Sequence, residues 1–248
     1  MPRQCLFCDK TANSREHLWS DWILRGHDWG PIQMTLGNSH RKVIAGPDQK
    51  VKAVCKQCNN GWMSALESRN RPLIGCLMQD FSTPLDASQR ESLALWTIKT
   101  AMVLDSINKR DRSAFYERGA CENLRQASTI PTKATVWAGR YYGSGLGAFG
   151  TDVWLCLPNG TRAARAYSTT IIVGHLALQA LVIRRLPGHE QTSLSADSKL
   201  GPWDGLLIQV WPAQTRPVAW PPPLMFTNSG RQSIATLMDR WRIGKLVQ

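Results

Sequence analysis

Four cysteines fall in two pairs of identical spacing, Cys5-Leu-Phe-Cys8 and Cys55-Lys-Gln-Cys58, with 46 residues between them. Each Cys-x-x-Cys lets two sulfurs reach one ion from a single tight turn. Two such pairs supply the four soft thiolates of a tetrahedral structural zinc. Glu16-His17 lies between the pairs, and Asn59-Asn60 follows the second directly. A carboxylate and an amide oxygen are hard donors suited to Mg²⁺ or Mn²⁺. A histidine accepts and returns protons near neutral pH. The purely structural zinc module is the commoner use of such knuckles, but a 46-residue loop is longer than a simple zinc ribbon needs and has room for a second function.

The order and spacing of these residues resemble the HNH endonuclease superfamily, the treble-clef or ββα-metal nucleases, over residues 3–67. In zinc-containing members a first knuckle precedes an acidic-residue–His dipeptide on a strand, and a second knuckle opens a helix whose first turn offers a His or Asn. Here Cys5 and Cys8, Glu16-His17, Cys55 and Cys58, and Asn59 fill those places. The chain is similar to the phage recombination endonucleases that resolve branched DNA, which carry an Asn immediately after the last cysteine. The resemblance implies a metal-dependent endonuclease acting on DNA, with zinc on the four cysteines. Glu16 and Asn59 would hold a catalytic Mg²⁺ or Mn²⁺, and His17 would take a proton from the attacking water. The products would be a 5′-phosphate and a 3′-hydroxyl. Two positions differ from the family: the acid is Glu rather than the commoner Asp, and Lys50 stands near the place where members carry an Asn that orients the histidine.

Charge points to the same class of partner. The 248 residues carry a formal net charge of +12, and it is unevenly spread. Residues 1–75 hold 11 Lys and Arg against 6 Asp and Glu, residues 76–127 hold 7 against 7, and residues 128–248 hold 12 against 5. A neutral middle between two basic ends fits an interior scaffold with two polyanion-facing parts. The other reading of this charge is solubility alone. No apolar run reaches the ~20 residues of a membrane span, and the N-terminus lacks the apolar stretch of a signal peptide, so the protein reads as cytoplasmic. A reducing compartment favours metal ligation over disulfides. Cys76, Cys121 and Cys156 stand alone and read as small buried hydrophobes.

These residues need elements to hold them, and the fold class reads as α+β. An N-terminal module of residues 1–75 contains a helix that starts near Cys58, carries Trp62, Met63 and Leu66 on its apolar side, and ends at Pro72. Residues 76–248 form an α+β region. Ser88-Gln-Arg-Glu91 reads as a capping box before a helix apolar nearly all round (Leu93, Trp96, Met102, Val103, Ile107), and a second helix spans 113–127. Strands follow at 134–141, 152–157, 168–173, 177–184 and 206–211, with a hairpin turn at Asn159-Gly160. Pro221-Pro222-Pro223 ends the antiparallel β-rich region, and a short helix near 233–241 carries Arg240, Arg242 and Lys245.

Weaker candidates complete the reading. Asn60 can replace Asn59 if the helix starts one residue later, and Glu67 reads as an ion-pair partner for a nearby Arg. His27 and His40 are candidates for phosphate contact. Gly145-Leu-Gly147-Ala-Phe-Gly150 matches G-x-G-x-x-G without a following helix and reads as a flexible loop. His175 and His189-Glu190 read as structural. The alternative function is a catalytically inactive, zinc-stabilised nucleic-acid-binding protein, with Trp137 and Trp220 as stacking faces.

Overall fold

The computed structural model describes residues 3–25, 29, 32–36, 40–44, 50–107, 114–143, 145–157, 159–190 and 205–226, with backbone alone at 30–49 where strands are given. The chain enters through a tight knuckle. The Cys5 N–H donates to the Lys10 carbonyl at 2.7 Å and the Ala12 N–H to that of Arg3 at 2.8 Å. Strand β1 (Ser14–His17) follows, then a short α1 (Asp21–Arg25), β2 (Ile32–Leu36), β3 (His40–Ile44) and β4 (Lys50–Val54). β1 and β4 pair antiparallel, with His17 opposite Lys50 and Glu16 opposite Val51. The second knuckle leads through α2 (Lys56–Cys58) and a turn at Asn59–Met63, kinked at Gly61, into α3 (Ser64–Met78). The result is a strand pair followed by a helix, clamped by cysteines at the entry of β1 and the exit of β4.

The remaining elements are β5 (Thr83–Leu85), α4 (Ala87–Ile107), α5 (Arg118–Ala127), β6 (Ala134–Tyr141), β7 (Leu146–Cys156), β8 (Arg162–Val173), β9 (Leu176–Arg185), β10 (Leu207–Trp211), β11 (Val218–Trp220) and β12 (Met225–Phe226). The main sheet runs β10-β6-β9-β8-β7-β2-β3, and β12 adds to β6. Most of it is antiparallel, as expected, but β2 joins β7 and β12 joins β6 in parallel. The hairpin β2–β3 therefore leaves the loop between the knuckles and extends the sheet built by the C-terminal half. One hydrophobic cluster runs from Cys5 and Phe7 through α4 to Trp220.

Helix α4 is buried along almost its whole length, as its all-round apolar pattern requires. Its three buried charged residues act as internal anchors. Arg90, fully buried, donates to the carbonyls of Gln214 and Arg216. Asp105 accepts from the backbone N–H groups of Phe115 (2.8 Å) and Tyr116 (3.2 Å). Lys99 reaches across to α3.

Several expectations are corrected. The reciprocal capping box is Asp86/Gln89, not Ser88/Glu91. The Asp86 N–H donates to Gln89 Oε1 at 2.9 Å and the Gln89 N–H to Asp86 Oδ1 at 2.8 Å. Both tetrads fit the pattern, and the earlier one makes both reciprocal hydrogen bonds. Pro72 does not end its helix; α3 continues to Met78. The proline is exposed, while buried Ile74, Leu77 and Met78 beyond it hold the last turns in place. Residues 145–150 are not a loop but lie mostly in β7. Its Gly150 is required there because a Cβ would sit 2.2 Å from the Tyr167 hydroxyl. Pro221–Pro223 does not end the strands, since β12 follows. The second helix begins at Arg118, because Asp105 holds Phe115 and Tyr116 in a turn. Of the lone cysteines, Cys121 is buried, but Cys76 and Cys156 are half-exposed. The segment 227–248, including the expected terminal helix, lies outside the described residues, as does His27.

Candidate metal centre

The two knuckles converge. The sulfurs of Cys5, Cys8, Cys55 and Cys58 all lie within 4.8 Å of one another, and all four residues are buried. Cys8 Sγ is 3.6 Å from the sulfurs of both Cys55 and Cys58. That is far too long for a disulfide, and close to the roughly 3.8 Å edge of a tetrahedron with ~2.3 Å metal–sulfur bonds. Backbone N–H groups point at the cluster: Cys55 N donates to Cys5 Sγ at 3.2 Å and Cys58 N to Cys55 Sγ at 3.4 Å. Burial pushes the Cys55 thiol up. The Cys58 N–H and the neighbouring sulfurs outweigh it and bring the group down to about 7. Burial raises Cys8 and Cys58. Four thiols packed this way cannot all ionise in an apolar pocket without a cation, and a soft divalent metal removes that conflict. The four-cysteine site is thus compatible with zinc.

The polar residues divide between two sides of β1. Glu16 is 5% exposed and faces inward. Burial raises its carboxyl from 4.5 to about 7, with the Lys99 ammonium pulling it down and the Glu67 carboxylate pushing it up. Lys99, only 2% exposed, donates to Glu67 Oε1 at 3.0 Å. Glu67 thus pairs with a lysine of α4 rather than an arginine. Ser14 alternates onto the Glu16 side of the strand, and its Oγ accepts from Asn59 Nδ2 at 2.8 Å. Asn59 is half-buried and Asn60 exposed, so the first asparagine is the one turned to the strand. Gly61, at φ −96° and ψ −110°, interrupts the helical path there. The half-buried His17, adjacent to Glu16, leaves the strand on the opposite side. The structure therefore brings Asn59 to Ser14 on the Glu16 side of β1, and sets His17 across from Lys50.

Other candidates separate from this centre. His40 lies on β3, and His175 Nδ1 is 3.0 Å from the Tyr141 carbonyl, a structural contact. Trp137 (4% exposed) and Trp220 (1%) are buried and offer no stacking face. Trp137 sits inside the sheet between β9 and β10. The exposed tryptophan of the sheet is Trp154, with Arg162 Cζ 4.6 Å from its ring centroid. The reading from sequence missed Lys99 as well. Its signal was a single cation within the apolar run Leu93–Leu104. Compared with protein-family models, curated proteins and solved structures, the chain matches none. No helix among the described residues is long and apolar enough to cross a membrane.

Proposed function

We propose that this chain is a zinc-stabilised, metal-dependent endonuclease of the HNH type, acting on DNA. The observation that carries the reading is the hydrogen bond from Asn59, first residue after the second knuckle, to Ser14 on the strand that bears Glu16 and His17. It joins residues 45 positions apart, beside a four-cysteine cluster at the entry of β1 and the exit of β4, and this supports the reading.

In this reading zinc occupies Cys5, Cys8, Cys55 and Cys58, and the hard donors Glu16 and Asn59 hold Mg²⁺ or Mn²⁺. The donor set suits such an ion: a desolvated carboxylate that burial holds at about 7 gains from a cation, and an amide oxygen adds no charge. When bound, the ion supplies charge stabilisation for the departing 3′ oxygen. His17 accepts the proton of the attacking water, help typically worth ~10²–10⁴-fold. Ser14 orients the Asn59 amide. The basic ends of the chain hold the phosphate backbone.

A second reading has an observation of its own. Glu16 is buried beside Lys99 and Glu67, so it also suits an internal charge cluster of an inactive nucleic-acid-binding module. Incubation with supercoiled plasmid, branched DNA, single strands and RNA, in Mg²⁺ or Mn²⁺, separates the two. The nuclease reading expects cleavage that His17→Ala and Asn59→Ala abolish. Cleavage that survives His17→Ala removes the proposed base, and tight binding without cleavage on any substrate selects the second reading.

A further inference from the structure

An open groove of about 410 Å³ lies along α3, lined by Trp22, Arg71, Pro72, Gly75, Cys76, Met78, Gln79 and Phe81. Two aromatic side chains border it. Trp22, from α1, is half-buried with Arg71 Cζ 5.8 Å from its ring centroid. Phe81, 57% exposed, forms the other rim. Between them the floor is kept low by Gly75. A Cβ there would meet nothing within 4 Å, so neither backbone geometry nor helix packing demands a glycine.

Charge says what fits. The acids around the groove are already neutralised: Asp80 pairs with Arg140, Asp21 with Arg25 and Glu67 with Lys99. Arg71, exposed on α3 and lining the groove, has no acidic partner among the described residues. An apolar slot edged by two aromatic rings and the uncompensated guanidinium of Arg71 matches a flat aromatic ligand joined to an anion. A duplex cannot present one, because its bases are paired and stacked inside. We infer that this groove is a subsite for an unpaired nucleobase, with Arg71 on an adjoining phosphate, so that the protein prefers single-stranded nucleic acid to blunt duplex. The inference rests on the nucleic-acid part of the proposed function and deepens it. Trp22 lies five residues beyond His17, and Gly75 is roughly 17 Å along α3 from its first turn, so the subsite would engage the strand away from the cleaved bond.

The test measures affinity of the full-length, zinc-loaded protein for a fluorescein-labelled 20-nucleotide single strand and for a blunt duplex, without added Mg²⁺ or Mn²⁺. Trp22→Ala and Phe81→Ala are expected to weaken single-strand binding roughly 5- to 100-fold, the range of one base–aromatic stack. Duplex binding should change less than about twofold. Arg71→Gln should weaken single-strand binding and lower its salt slope by about 0.7. Gly75→Leu fills the groove while leaving charge and aromatic residues intact, and replaces a helix-interior glycine by a better helix former. It guards against losses caused by misfolding. Single-strand affinity unchanged in Gly75→Leu, or single-strand and duplex affinities falling in parallel in the aromatic variants, overturns the subsite. Selective binding without cleavage leaves the subsite standing and removes the nuclease. Cleavage by a protein whose groove variants bind normally does the reverse.

Discussion

Replacing Glu16 by glutamine should stabilise the protein while removing the carboxylate proposed to hold the divalent ion. Burial holds this carboxyl at about 7 against an ordinary 4.5. The folded state therefore keeps its proton through a range in which the unfolded chain has released it. The sign follows from linkage: there is no penalty well below 4.5, stability falls as pH rises from 4.5 to 7, and the full penalty persists above. The shift sets the penalty at about 1 kcal/mol at pH 5.5 and about 3 kcal/mol at pH 8.5. Glutamine copies the protonated form at every pH. Thermal melts of zinc-loaded Glu16→Gln and parent should thus differ little near pH 5 and by roughly 6–12 °C at pH 8.5, the variant being the more stable.

The comparison isolates Glu16 because zinc ligation titrates alike in both proteins. Magnesium adds a second arm. An ion that binds ionised Glu16 stabilises the parent by about 1.4 kcal/mol at tenfold over its dissociation constant and leaves the variant untouched, so the gap should narrow. The result that refutes the reasoning is a Glu16→Gln protein less stable than the parent at pH 8.5. It would mean that Lys99, not burial, sets the state of this carboxylate, and that Glu16 is an ionised structural partner.

Removing Lys99 alone should be severe: Lys99→Met strands Glu67 beside Glu16 and is expected to lose about 3–5 kcal/mol in urea unfolding, whereas Lys99→Met with Glu67→Leu should recover most of it. Cys55→Ser should drop bound zinc well below one equivalent by metal analysis and unfold the N-terminal unit, seen as loss of amide protection in β1 and β4. At the α4 cap, Asp86→Ala should cost about 1 kcal/mol and Ser88→Ala less than about 0.5 kcal/mol; equal losses would return the cap to Ser88.

What could be read from the sequence was what depends on local spacing. The four-cysteine cluster follows from two short motifs, because a Cys-x-x-Cys turn carries its own geometry. The strands of β6, β8 and β9 follow from branched residues in short runs, and α4 from its apolar content. What could not be read depends on partners far along the chain. Trp137 and Trp220 look like exposed platforms until the sheet closes over them. Gly145–Gly150 looks like a loop until Tyr167 from β8 explains why a strand there carries glycine. Pro72 looks like a stop because propensity ignores the burial of Ile74, Leu77 and Met78 beyond it. Glu16, His17 and Asn59 were nameable as candidates, but the division of Glu16 and His17 between two faces of β1 is a strand property. The Lys99–Glu67 pair needed α4 to be laid against α3.

That pair changes what the site has to do. Glu16 lies within the field of two cations, the fixed ammonium of Lys99 and, in the proposed reaction, a divalent ion held with Asn59. Lys99 is not free to serve Glu16 alone, since Glu67 already engages it at 3.0 Å. Its pull on Glu16 is accordingly smaller than the push of burial, and the carboxyl stays near 7 rather than falling. A carboxylate left half-satisfied in this way binds a divalent ion more readily than one fully paired to lysine, and it avoids the instability of a bare buried charge. Glu67 thus moderates the lysine. Glu67→Gln should release Lys99 to Glu16, draw the carboxylate inward as an ion pair, and weaken Mg²⁺ binding while leaving the cysteine cluster loaded. Isothermal titration with Mg²⁺ beside zinc analysis reads the two separately, and a Glu67→Gln protein that binds Mg²⁺ as tightly as the parent would show that Glu67 has no hand in poising Glu16.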